Sequence, residues 1–585
     1  MILDNINSPS DVKKLNREER VELATEIREH LIKKVSIHGG HCGPNLGMVE
    51  ATIALHTVFN SPIDKIVFDV SHQSYPHKML TGRKYGFTDV ERYDSVSGYS
   101  NPAESEHDFF ELGHTSTSIS LACGLVKARD LKGEKGNVIA VIGDGSLSGG
   151  EALEGLNVAG ELGTNFIIVV NDNNMSIAEN HGGMYKNLKE LRETKGKAST
   201  NLFTAMGLNY IFVEKGNDID ALIDAFTAVK DSVSPVVVHI VTEKGKGYKL
   251  AEENKEEWHW HVPFDIETGE SKFKPTGEDY GTLTADYLLD EMKKDKSVFA
   301  ITAGTPTVFG FTKDKRELAG KQFVDVGIAE ETAVALASGA AKAGAKPVFG
   351  VYSTFMQRTY DQIAQDVCIN KNPITMVVFA ASVWGMNDVT HIGMYDIPMI
   401  SNIPELVYLA PTCKEEYMDM LKWSVHQDKY PVAIRVPSNG VISTGNEYTT
   451  DYSDINKFEV TRLGEQVAVI AVGDFYQLGE KICDNLEKQG LKPTLINPRY
   501  VSGIDKLLLE GIHNDHEVVI TLEDGMLEGG FGQKIASYYG YSDMKVKNYG
   551  FEKEFPDRYV PDELMKENGL TVENITEDVL KMINK

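Results

Sequence analysis

Short apolar runs alternate with helical patterns along much of the chain. Two such runs, residues 138–142 and 166–170, flank a helical pattern over residues 151–162. Apolar runs of this length that end at glycine or polar turns are typical of buried strands. The stretch therefore predicts a strand, a helix and a second, parallel strand. Similar alternations further along predict an α/β protein with mostly parallel sheets.

Polar residues follow both predicted strands. Residues 143–145 read Gly-Asp-Gly, and residues 171–173 read Asn-Asp-Asn. Because the carboxyl ends of parallel strands lie at the same edge of a sheet, we expect Asp144 and Asn173 to meet there. Carboxylate and amide oxygens favour Mg²⁺ or Ca²⁺ over zinc. The flanking glycines let the backbone approach phosphates, so the pattern predicts a cation site that carries phosphate.

Four histidines precede this stretch at glycine turns or strand ends: His41, His72, His77 and His114. For any single one of them, a structural role is the ordinary expectation. Several imidazoles near one site suit proton transfers in carbonyl chemistry.

Composition limits the classes of partner. The 585 residues carry a net charge of −27, which argues against nucleic acid or an anionic membrane surface. The five cysteines are scattered without a CxxC pair, so we expect neither a zinc site nor a disulfide framework. The odd number of cysteines fits a reducing compartment. The first residues lack a signal-peptide pattern, and no apolar run is long enough to span a membrane. We therefore expect a cytoplasmic location.

Three motifs together resemble a known family. Residues 68–83 read FDVSHQSYPHKMLTGR, residues 113–120 read GHTSTSIS, and residues 143–160 read GDGSLSGGEALEGLNVAG. They are similar to the 1-deoxy-D-xylulose-5-phosphate synthases, which are thiamin-diphosphate enzymes of the transketolase superfamily. The likeness covers nearly the whole chain.

The resemblance implies a fold of three domains, each a mostly parallel sheet flanked by helices. Residues 1–275 would bind the diphosphate, 276–455 the pyrimidine, and 456–585 would form the transketolase C-terminal domain. A polar, aperiodic stretch near residues 250–280 agrees with the first boundary. Within the first of these domains, residues 10–60 predict two helices, with Ser10 as a candidate N-cap of the first.

The resemblance also implies an activity: decarboxylation of pyruvate and transfer of the two-carbon unit to an aldehyde, which is glyceraldehyde 3-phosphate in the family. Thiamin diphosphate and Mg²⁺ are the implied cofactors. A homodimer with a role in isoprenoid and thiamine biosynthesis is implied as well.

Site residues follow from the same motifs. The implied Mg²⁺ ligands are Asp144, Asn173 and the main-chain oxygen of Met175. The implied cofactor contacts are Gly143, Asp144, Gly145, Ser146, Asn173, Met175, Lys244, Ile328, Phe355, His72 and His114. The implied catalytic residues are Glu330, His41, His72, His114 and His391. The implied substrate contacts are Tyr352, Arg358, Asp388, His391 and His259. The resemblance leaves His77 unassigned.

Glu330 matches the family's carboxylic acid that hydrogen-bonds the aminopyrimidine ring and so promotes loss of the coenzyme's C2 proton. Read without the resemblance, a glutamate at a helix start stabilises the helix dipole.

The chain departs from the family in three places. About 30 residues separate Asn180 from the next predicted strand near Asn209, where the family has a long mobile insertion. Residues 379–393 form a loop about three residues shorter than in the family, with Val383 at an arginine position. Ser438 replaces a second arginine, although Arg435 remains. Both lost arginines grip the acceptor phosphate in the family, and their loss costs roughly 3–6 kcal/mol unless other residues compensate.

Other functions therefore stay open. The same chemistry on a different or unphosphorylated aldehyde is the first alternative, and ketol transfer of the transketolase type is the second. A cofactor-binding protein without catalysis is the third, although Asp144, Asn173 and Glu330 together argue against it.

Overall fold

The structure is a computed structural model that describes residues 1–273 and 277–583. The described residues form two compact units. The first contains residues 1–273 with 327–329, and the second contains residues 277–326 with 330–583. The predicted boundary between residues 275 and 276 lies outside the described residues. The predicted division of the second unit at residue 455 stays a prediction.

The first unit contains two sheets and a set of mostly short helices. Its strands are β1 Gly40–His41, β2 Lys65–Phe68, β3 Val138–Gly143, β4 Phe166–Asp172, β5 Asn209–Val213, β6 Pro235–Val241 and β7 Trp260–His261. Its helices are α1 Pro9–Val12, α2 Arg17–His38, α3 Gly43–Gly47, α4 Val49–Val58, α5 Tyr75–Lys78, α6 Tyr85–Thr88, α7 Ser118–Lys132, α8 Gly150–Ala159, α9 Met184–Glu193, α10 Leu202–Ala205, α11 Ile219–Val229 and α12 Lys249–Glu253.

The larger sheet of this unit, here the first sheet, is parallel throughout, in the order β2-β3-β4-β6-β5. Its central strands are almost continuously apolar because helices cover both faces of such a sheet. The predicted strand–helix–strand stretch is confirmed as β3, α8 and β4, with the helix ending at Ala159 rather than at residue 162. Gly143 lies opposite Asn171, so the polar turns after β3 and β4 are neighbours.

The smaller sheet pairs β1 with β7 in antiparallel fashion. Gly40 lies opposite His261, and His41 lies opposite Trp260. This pairing joins the glycine turn at residue 40 to the histidine-containing stretch near residue 260. The polar stretch has no strand periodicity, so the sequence pattern did not predict the pairing.

The helix predictions near the N-terminus are partly wrong. The structure has four helices, α1 to α4, where two were expected between residues 10 and 60. Ser10 does not cap the first one, since α1 begins at Pro9, whose fixed φ and missing N–H suit the first helical position. Ser8 precedes it, and its N–H donates to Asp11 Oδ2 at 3.1 Å. Asn16 caps α2 by accepting the N–H of Glu19 at 3.0 Å.

The second unit contains two further sheets. Its strands are β8 Val298–Thr302, β9 Phe323–Asp325, β10 Lys346–Tyr352, β11 Thr375–Phe379, β12 Val407–Leu409, β13 Val432–Arg435, β14 Glu459–Arg462, β15 Gln466–Ala471, β16 Thr494–Asn497, β17 His516–Met526 and β18 Lys545–Phe551. Its helices are α13 Tyr280–Lys294, α14 Lys313–Ala319, α15 Glu330–Lys342, α16 Tyr360–Gln362, α17 Asp396–Ile400, α18 Lys414–His426, α19 Tyr476–Lys488, α20 Lys506–Asp515, α21 Phe531–Tyr539, α22 Pro561–Glu567 and α23 Val572–Ile583.

The second sheet has the order β12-β13-β11-β10-β8-β9 and is parallel throughout. The third sheet has the order β14-β16-β15-β17-β18, and only its edge pair β14–β16 is antiparallel. The expected α/β class with mostly parallel sheets flanked by helices is confirmed. None of the helices in the described part of the chain combines the length and hydropathy that a bilayer span requires.

Candidate active site

Asp144 and Asn173 lie together at the carboxyl ends of β3 and β4. The N–H of Asp144 donates to the carbonyl of Asn171 at 3.0 Å, and the N–H of Asn173 reaches Asp144 Oδ1 at 3.5 Å. Asp144 is almost fully buried. Burial, together with the negative charge of Asp172, raises the pKa of Asp144 to about 8. A carboxylate in this position is stabilised by a cation.

The side chain of Asn173 supports the same reading. Its Oδ1 is buried and has no hydrogen-bond partner among the residues that the structure describes. Leaving a buried acceptor unsatisfied is costly, so the oxygen suits a ligand. The described residues contain no group of three or more His, Cys, Asp or Glu side chains placed to hold a metal. The predicted ligands are instead the carboxylate of Asp144, the amide oxygen of Asn173 and the main-chain oxygen of Met175. These are oxygen donors of the kind that a phosphate-bound Mg²⁺ accepts.

The turn around Met175 packs against the glycine turn at residues 143–145. Met175 pairs with Glu179 in an isolated antiparallel bridge. A Cβ added to Gly145 would lie 3.0 Å from Ser176, which is tighter than an ordinary contact, so glycine favours this close approach. The Nζ of Lys244 donates to the carbonyl of Ser176 at 2.6 Å. Burial lowers the pKa of Lys244 to about 7.

Two further predicted cofactor contacts lie near this turn in the first unit. The carbonyl of Ser146 accepts the Ser116 hydroxyl at 2.8 Å. The N–H of Ile328 donates to Ser148 Oγ at 2.8 Å. Ile328 belongs to the short segment 327–329 that groups with this unit.

The loop that carries His114 is tied to the end of β2 by a buried carboxylate. Asp69 Oδ1 accepts the N–H of Ser116 at 2.8 Å, and its Oδ2 accepts the N–H of Ser118 at 3.1 Å. These contacts fix the backbone two and four residues after His114. Sequence reasoning missed Asp69 because the residue reads as an ordinary strand end.

Three of the predicted histidines come together. The ring centroids are 5.0 Å apart for His41 and His72, 5.7 Å for His41 and His259, and 5.2 Å for His72 and His259. Burial, with the charges of Lys244 and the other two imidazoles, lowers the pKa of His259 well below its usual value. At neutral pH, His259 is therefore an uncharged imidazole.

Asn45 holds the backbones of two of these histidines in place. Its Nδ2 donates to the carbonyls of His41 at 2.9 Å and His72 at 2.7 Å, while its Oδ1 accepts the N–H of Tyr75 at 2.9 Å. The side chain is buried. In the sequence, Asn45 is marked only as a polar residue that follows Gly43-Pro44 in a turn, and we did not predict a role for it.

His77 lies in a different environment from His72. Its Nδ1 is 2.9 Å from Nε2 of His56, and its Nε2 is 3.0 Å from Oδ1 of Asp108. Arg83 donates to both oxygens of Asp108. His56, His77, Arg83 and Asp108 are all buried, so His77 is part of a structural network. The family resemblance left His77 unassigned, and the structure places its ring between His56 and Asp108.

Glu330 is the first residue of α15, in the second unit, and is buried. Burial raises the pKa of Glu330 to about 7, although the charge of Arg358 opposes the shift. The nearest contact to Arg358 is 3.6 Å, beyond hydrogen-bond distance, and Glu330 Oε2 has no hydrogen-bond partner within the described residues. A carboxyl group in this state is able to donate a proton to a ring nitrogen near neutral pH.

Other predicted residues of the second unit form an aromatic cluster. The ring of Phe355 lies 5.7 Å from His391 and 5.9 Å from Tyr352. Thr390 Oγ1 is 2.6 Å from Asp388 Oδ1 and 2.7 Å from His391 Nδ1. Burial alone would raise the pKa of Asp388, but hydrogen bonds from His391 and Thr390 lower it. Arg358, predicted to contact substrate, has its Nη1 3.6 Å from Oε2 of Glu330.

The positions expected to bind an acceptor phosphate offer little positive charge. Val383 is fully buried in an apolar cluster, while Ser438 is exposed. Arg435 is buried between two carboxylates. Its Nε donates to Asp396 Oδ2 at 2.7 Å, and its Nη1 contacts Asp524. The charge of Arg435 is therefore already balanced within the fold.

Three further residues that sequence reasoning missed contact the turns around Asp144 and Asn173 from the segment after β4. They are Asn180, Tyr185 and Arg192. No local motif marks them, since their contacts depend on how this segment folds back over the sheet edge.

Comparison with known proteins adds independent evidence. The family profile described as "1-deoxy-D-xylulose-5-phosphate synthase" matches residues 3–201 and 192–242. The profiles "Transketolase, pyrimidine binding domain" and "Transketolase, C-terminal domain" match residues 278–441 and 456–575.

Full-length relatives carry the first of these descriptions as their name. The 1-deoxy-D-xylulose-5-phosphate synthase of Clostridium beijerinckii is 40% identical over 99% of this chain and 99% of its own length. That of Halothermothrix orenii is 40% identical over 96% and 93%.

Solved structures give weaker likenesses. A transketolase from Campylobacter jejuni is 16% identical over 97% of this chain and 100% of its own, with a TM-score of 0.43. A split-gene transketolase is 19% identical over 52% and 97%, with a TM-score of 0.46. Family membership rests instead on the sequence relatives, which exceed a third identity along nearly the whole length. The chain therefore belongs to the 1-deoxy-D-xylulose-5-phosphate synthase family.

Proposed function

We propose that this chain condenses pyruvate with glyceraldehyde 3-phosphate, with loss of CO₂, to give 1-deoxy-D-xylulose 5-phosphate, and that it uses thiamin diphosphate and Mg²⁺. The observation that carries the proposal is the pair formed by Asp144 and Asn173. In a chain of this family, a buried carboxylate lies beside a buried, unsatisfied amide oxygen at adjoining strand ends. Bound thiamin diphosphate would supply the nucleophilic carbon and the electron sink that pyruvate decarboxylation requires.

Asp144, Asn173 and the main-chain oxygen of Met175 would hold the Mg²⁺. These three oxygens leave room in an octahedral shell for phosphate oxygens. Lys244 contacts the same turn through the carbonyl of Ser176, and a bound diphosphate would favour its protonated form, which adds positive charge there. Gly143, Gly145, Ser146 and Ile328 supply the backbone that surrounds this position.

Glu330 would protonate or hydrogen-bond the aminopyrimidine ring, and Phe355 would stack on it. The raised pKa of Glu330, about 7 as a result of burial, keeps a large share of the carboxyl protonated at neutral pH. His41, His72, His114 and His391 are the proposed groups for proton transfer at the substrate. Tyr352, Arg358, Asp388 and His259 are the proposed substrate contacts.

The domain boundaries, the oligomeric state and the location are also proposals that follow from family membership. We propose domains at residues 1–275, 276–455 and 456–585, a homodimer, and a cytoplasmic location. A product of this kind would serve isoprenoid and thiamine biosynthesis.

A second candidate function is the same reaction with an unphosphorylated aldehyde. The observation that favours it is the state of the acceptor positions: Val383 is apolar and buried, Ser438 is neutral, and Arg435 is paired with Asp396 and Asp524. A phosphate dianion would therefore find less positive charge here than two arginines provide.

The test is CO₂ release from pyruvate with thiamin diphosphate and Mg²⁺, across a panel of aldehydes with and without phosphate. Strongest stimulation by glyceraldehyde 3-phosphate, with a low Michaelis constant, supports the first function. Strongest stimulation by an unphosphorylated aldehyde supports the second. If no CO₂ is released with either kind of aldehyde, and ketose phosphates are turned over instead, the activity is ketol transfer.

A single variant separates an enzyme from a binding protein. Glu330→Gln keeps the size and a hydrogen-bond donor but removes the transferable proton. Cofactor binding should persist while CO₂ release falls by at least 100-fold. Unchanged CO₂ release would contradict the assigned role of Glu330.

A further inference from the structure

The connection between β4 and β5 folds back onto the turns that carry Asp144 and Asn173. It contains α9, Met184–Glu193, and reaches β5 at Asn209. Three of its side chains, those of Asn180, Tyr185 and Arg192, contact these turns. We name them the clamp residues.

Asn180 fixes one oxygen of the candidate cation-binding carboxylate. Its Nδ2 donates to Asp144 Oδ2 at 2.7 Å, while the N–H of Asn173 approaches Oδ1 of the same carboxylate. The two contacts set the plane of the Asp144 carboxyl group.

Tyr185 fixes the backbone on which this carboxylate stands. Its hydroxyl lies 3.0 Å from the carbonyl of Asp144 and 3.2 Å from that of Gly145. One hydroxyl hydrogen is therefore shared between two consecutive carbonyls at the start of the 3₁₀ turn Gly145–Ser148. The contact joins α9 directly to the Gly-Asp-Gly turn.

Arg192 fixes the second turn. Its Nη1 donates to both oxygens of Asp172, at 2.8 and 2.6 Å, and its Nη2 donates to Asn174 Oδ1 at 2.9 Å. Asn174 has a φ of 60°, in the left-handed region. Asp172 and Asn174 flank Asn173, so Arg192 holds the turn on both sides of the unsatisfied Oδ1. It also neutralises Asp172, leaving Asp144 as the carboxylate available to a cation.

We propose that the clamp residues are positioning residues for the cation site, so that the short connection after β4 orders the two turns that would hold Mg²⁺. This inference rests on the proposed function. Groups that hydrogen-bond metal ligands typically change metal affinity by about 10- to 100-fold when they are removed.

The experiment measures thiamin diphosphate binding to the full-length protein by calorimetry at a series of Mg²⁺ concentrations. Asn180→Ala and Tyr185→Phe each remove one hydrogen-bonding group with little change in packing. We expect each to raise the Mg²⁺ concentration needed for half-maximal binding by about 10-fold or more. Arg192→Gln should also raise the Mg²⁺ concentration needed for half-maximal binding. If Arg192→Gln does not fold, Tyr185→Phe still tests the inference.

Two controls come from the same connection. Lys189→Gln alters an exposed residue of α9 that pairs only loosely with Glu193. Asn187→Ala removes an amide that donates to the carbonyl of Thr200 and accepts the N–H of Leu202, both within the connection. Both should bind like the wild type. If they weaken binding as much as the clamp variants do, general loosening of the connection explains the effect and the inference is overturned.

The outcomes also separate this inference from the proposed function. Wild-type binding that depends on Mg²⁺ and is lost in Asp144→Asn supports the proposed site. If Asn180→Ala and Tyr185→Phe then stay within twofold of the wild type, the clamp inference fails while the function stands. If the wild type does not bind thiamin diphosphate with Mg²⁺, the proposed function fails and the inference fails with it.

Discussion

Two histidine groups in the first unit differ in what lies against their rings. In the open group, His41, His72 and His259 face one another with centroids 5.0 to 5.7 Å apart. Burial, together with the positive charge of Lys244, lowers the pKa of His259 and keeps its imidazole neutral. A neutral imidazole such as that of His259 is suited to accepting a proton near neutral pH.

In the closed group, the two imidazole rings contact each other and a buried carboxylate. His77 lies between His56 and Asp108, and Arg83 holds both oxygens of that carboxylate. Every member is buried. Only four residues separate His72 from His77, so the comparison teaches that neighbouring positions in one motif can place two imidazole rings in different environments.

The largest expected effect is on the closed group. Arg83→Met leaves Asp108 buried without its main cation, and removing one partner of a buried ion pair costs about 3–5 kcal/mol. We expect a loss of this size in the free energy of unfolding, measured by urea denaturation. Arg17→Met is the matched control, because Arg17 forms its pair with Asp220 at the surface, and it should leave stability nearly unchanged. A similar loss in both variants would contradict the structural role.

The second prediction sets His72 against His77. His72→Gln should lower turnover by about 100-fold or more while stability changes little, because a proton-transfer group is lost. His77→Gln should lower the free energy of unfolding by about 1–3 kcal/mol, because Asp108 and His56 lose a buried partner. Turnover per folded molecule should then stay near that of the wild type. A reversed pattern would exchange the roles of the two groups.

The third prediction concerns pH. Burial lowers the pKa of His259 in the folded state, so the unfolded chain binds more protons once the pH falls below about 6.5. The free energy of unfolding therefore falls as the medium is acidified, by about 1.4 kcal/mol per pH unit for one such histidine. His259→Gln does not titrate there. Urea midpoints between pH 6.5 and 5 should fall less steeply for this variant, and equal slopes would mean that His259 titrates with the same pKa in the folded and unfolded states.

The smallest effect is expected for a contact that links the two histidine groups. The hydroxyl of Tyr75, two residues before His77, accepts the N–H of His41 across a long 3.4 Å contact. Tyr75→Phe should lower the free energy of unfolding by about 1 kcal/mol or less. Turnover should fall less than tenfold, as measured by CO₂ release. A larger loss of turnover would show that the open group depends on the segment that carries the closed one.

Features that depend on local periodicity could be predicted from the sequence. The apolar runs before Asp144 and Asn173 are strands β3 and β4, and their polar ends are adjacent, as expected. Parallel pairing of buried strands follows from apolar runs joined by a helix, without knowledge of the rest of the fold.

Features that depend on distant residues could not be predicted. Asp108 lies 31 residues from His77, and Arg192 lies 20 residues from Asp172. The residues around His77 and Asp172 do not indicate which distant side chain each of them contacts. The pairing of β1 with β7 has the same cause, since His41 meets Trp260 across more than two hundred residues. The N-cap of α1 was misjudged for a local reason, because Pro9 moved the helix start ahead of Ser10.

The connection from β4 to β5 begins beside Asn173 and ends on β5, the edge strand of the first sheet. Doubling the length of a flexible connection costs only about 0.6 kcal/mol in closure entropy, and an edge strand needs no second neighbour to accept the change. Natural variation can therefore lengthen, shorten or replace this connection while the strands beneath it keep their register. A change in the length of this connection is therefore separable from a change in Asn180, Tyr185 or Arg192, since the first leaves the strands in register and the second acts on the turns around Asp144 and Asn173.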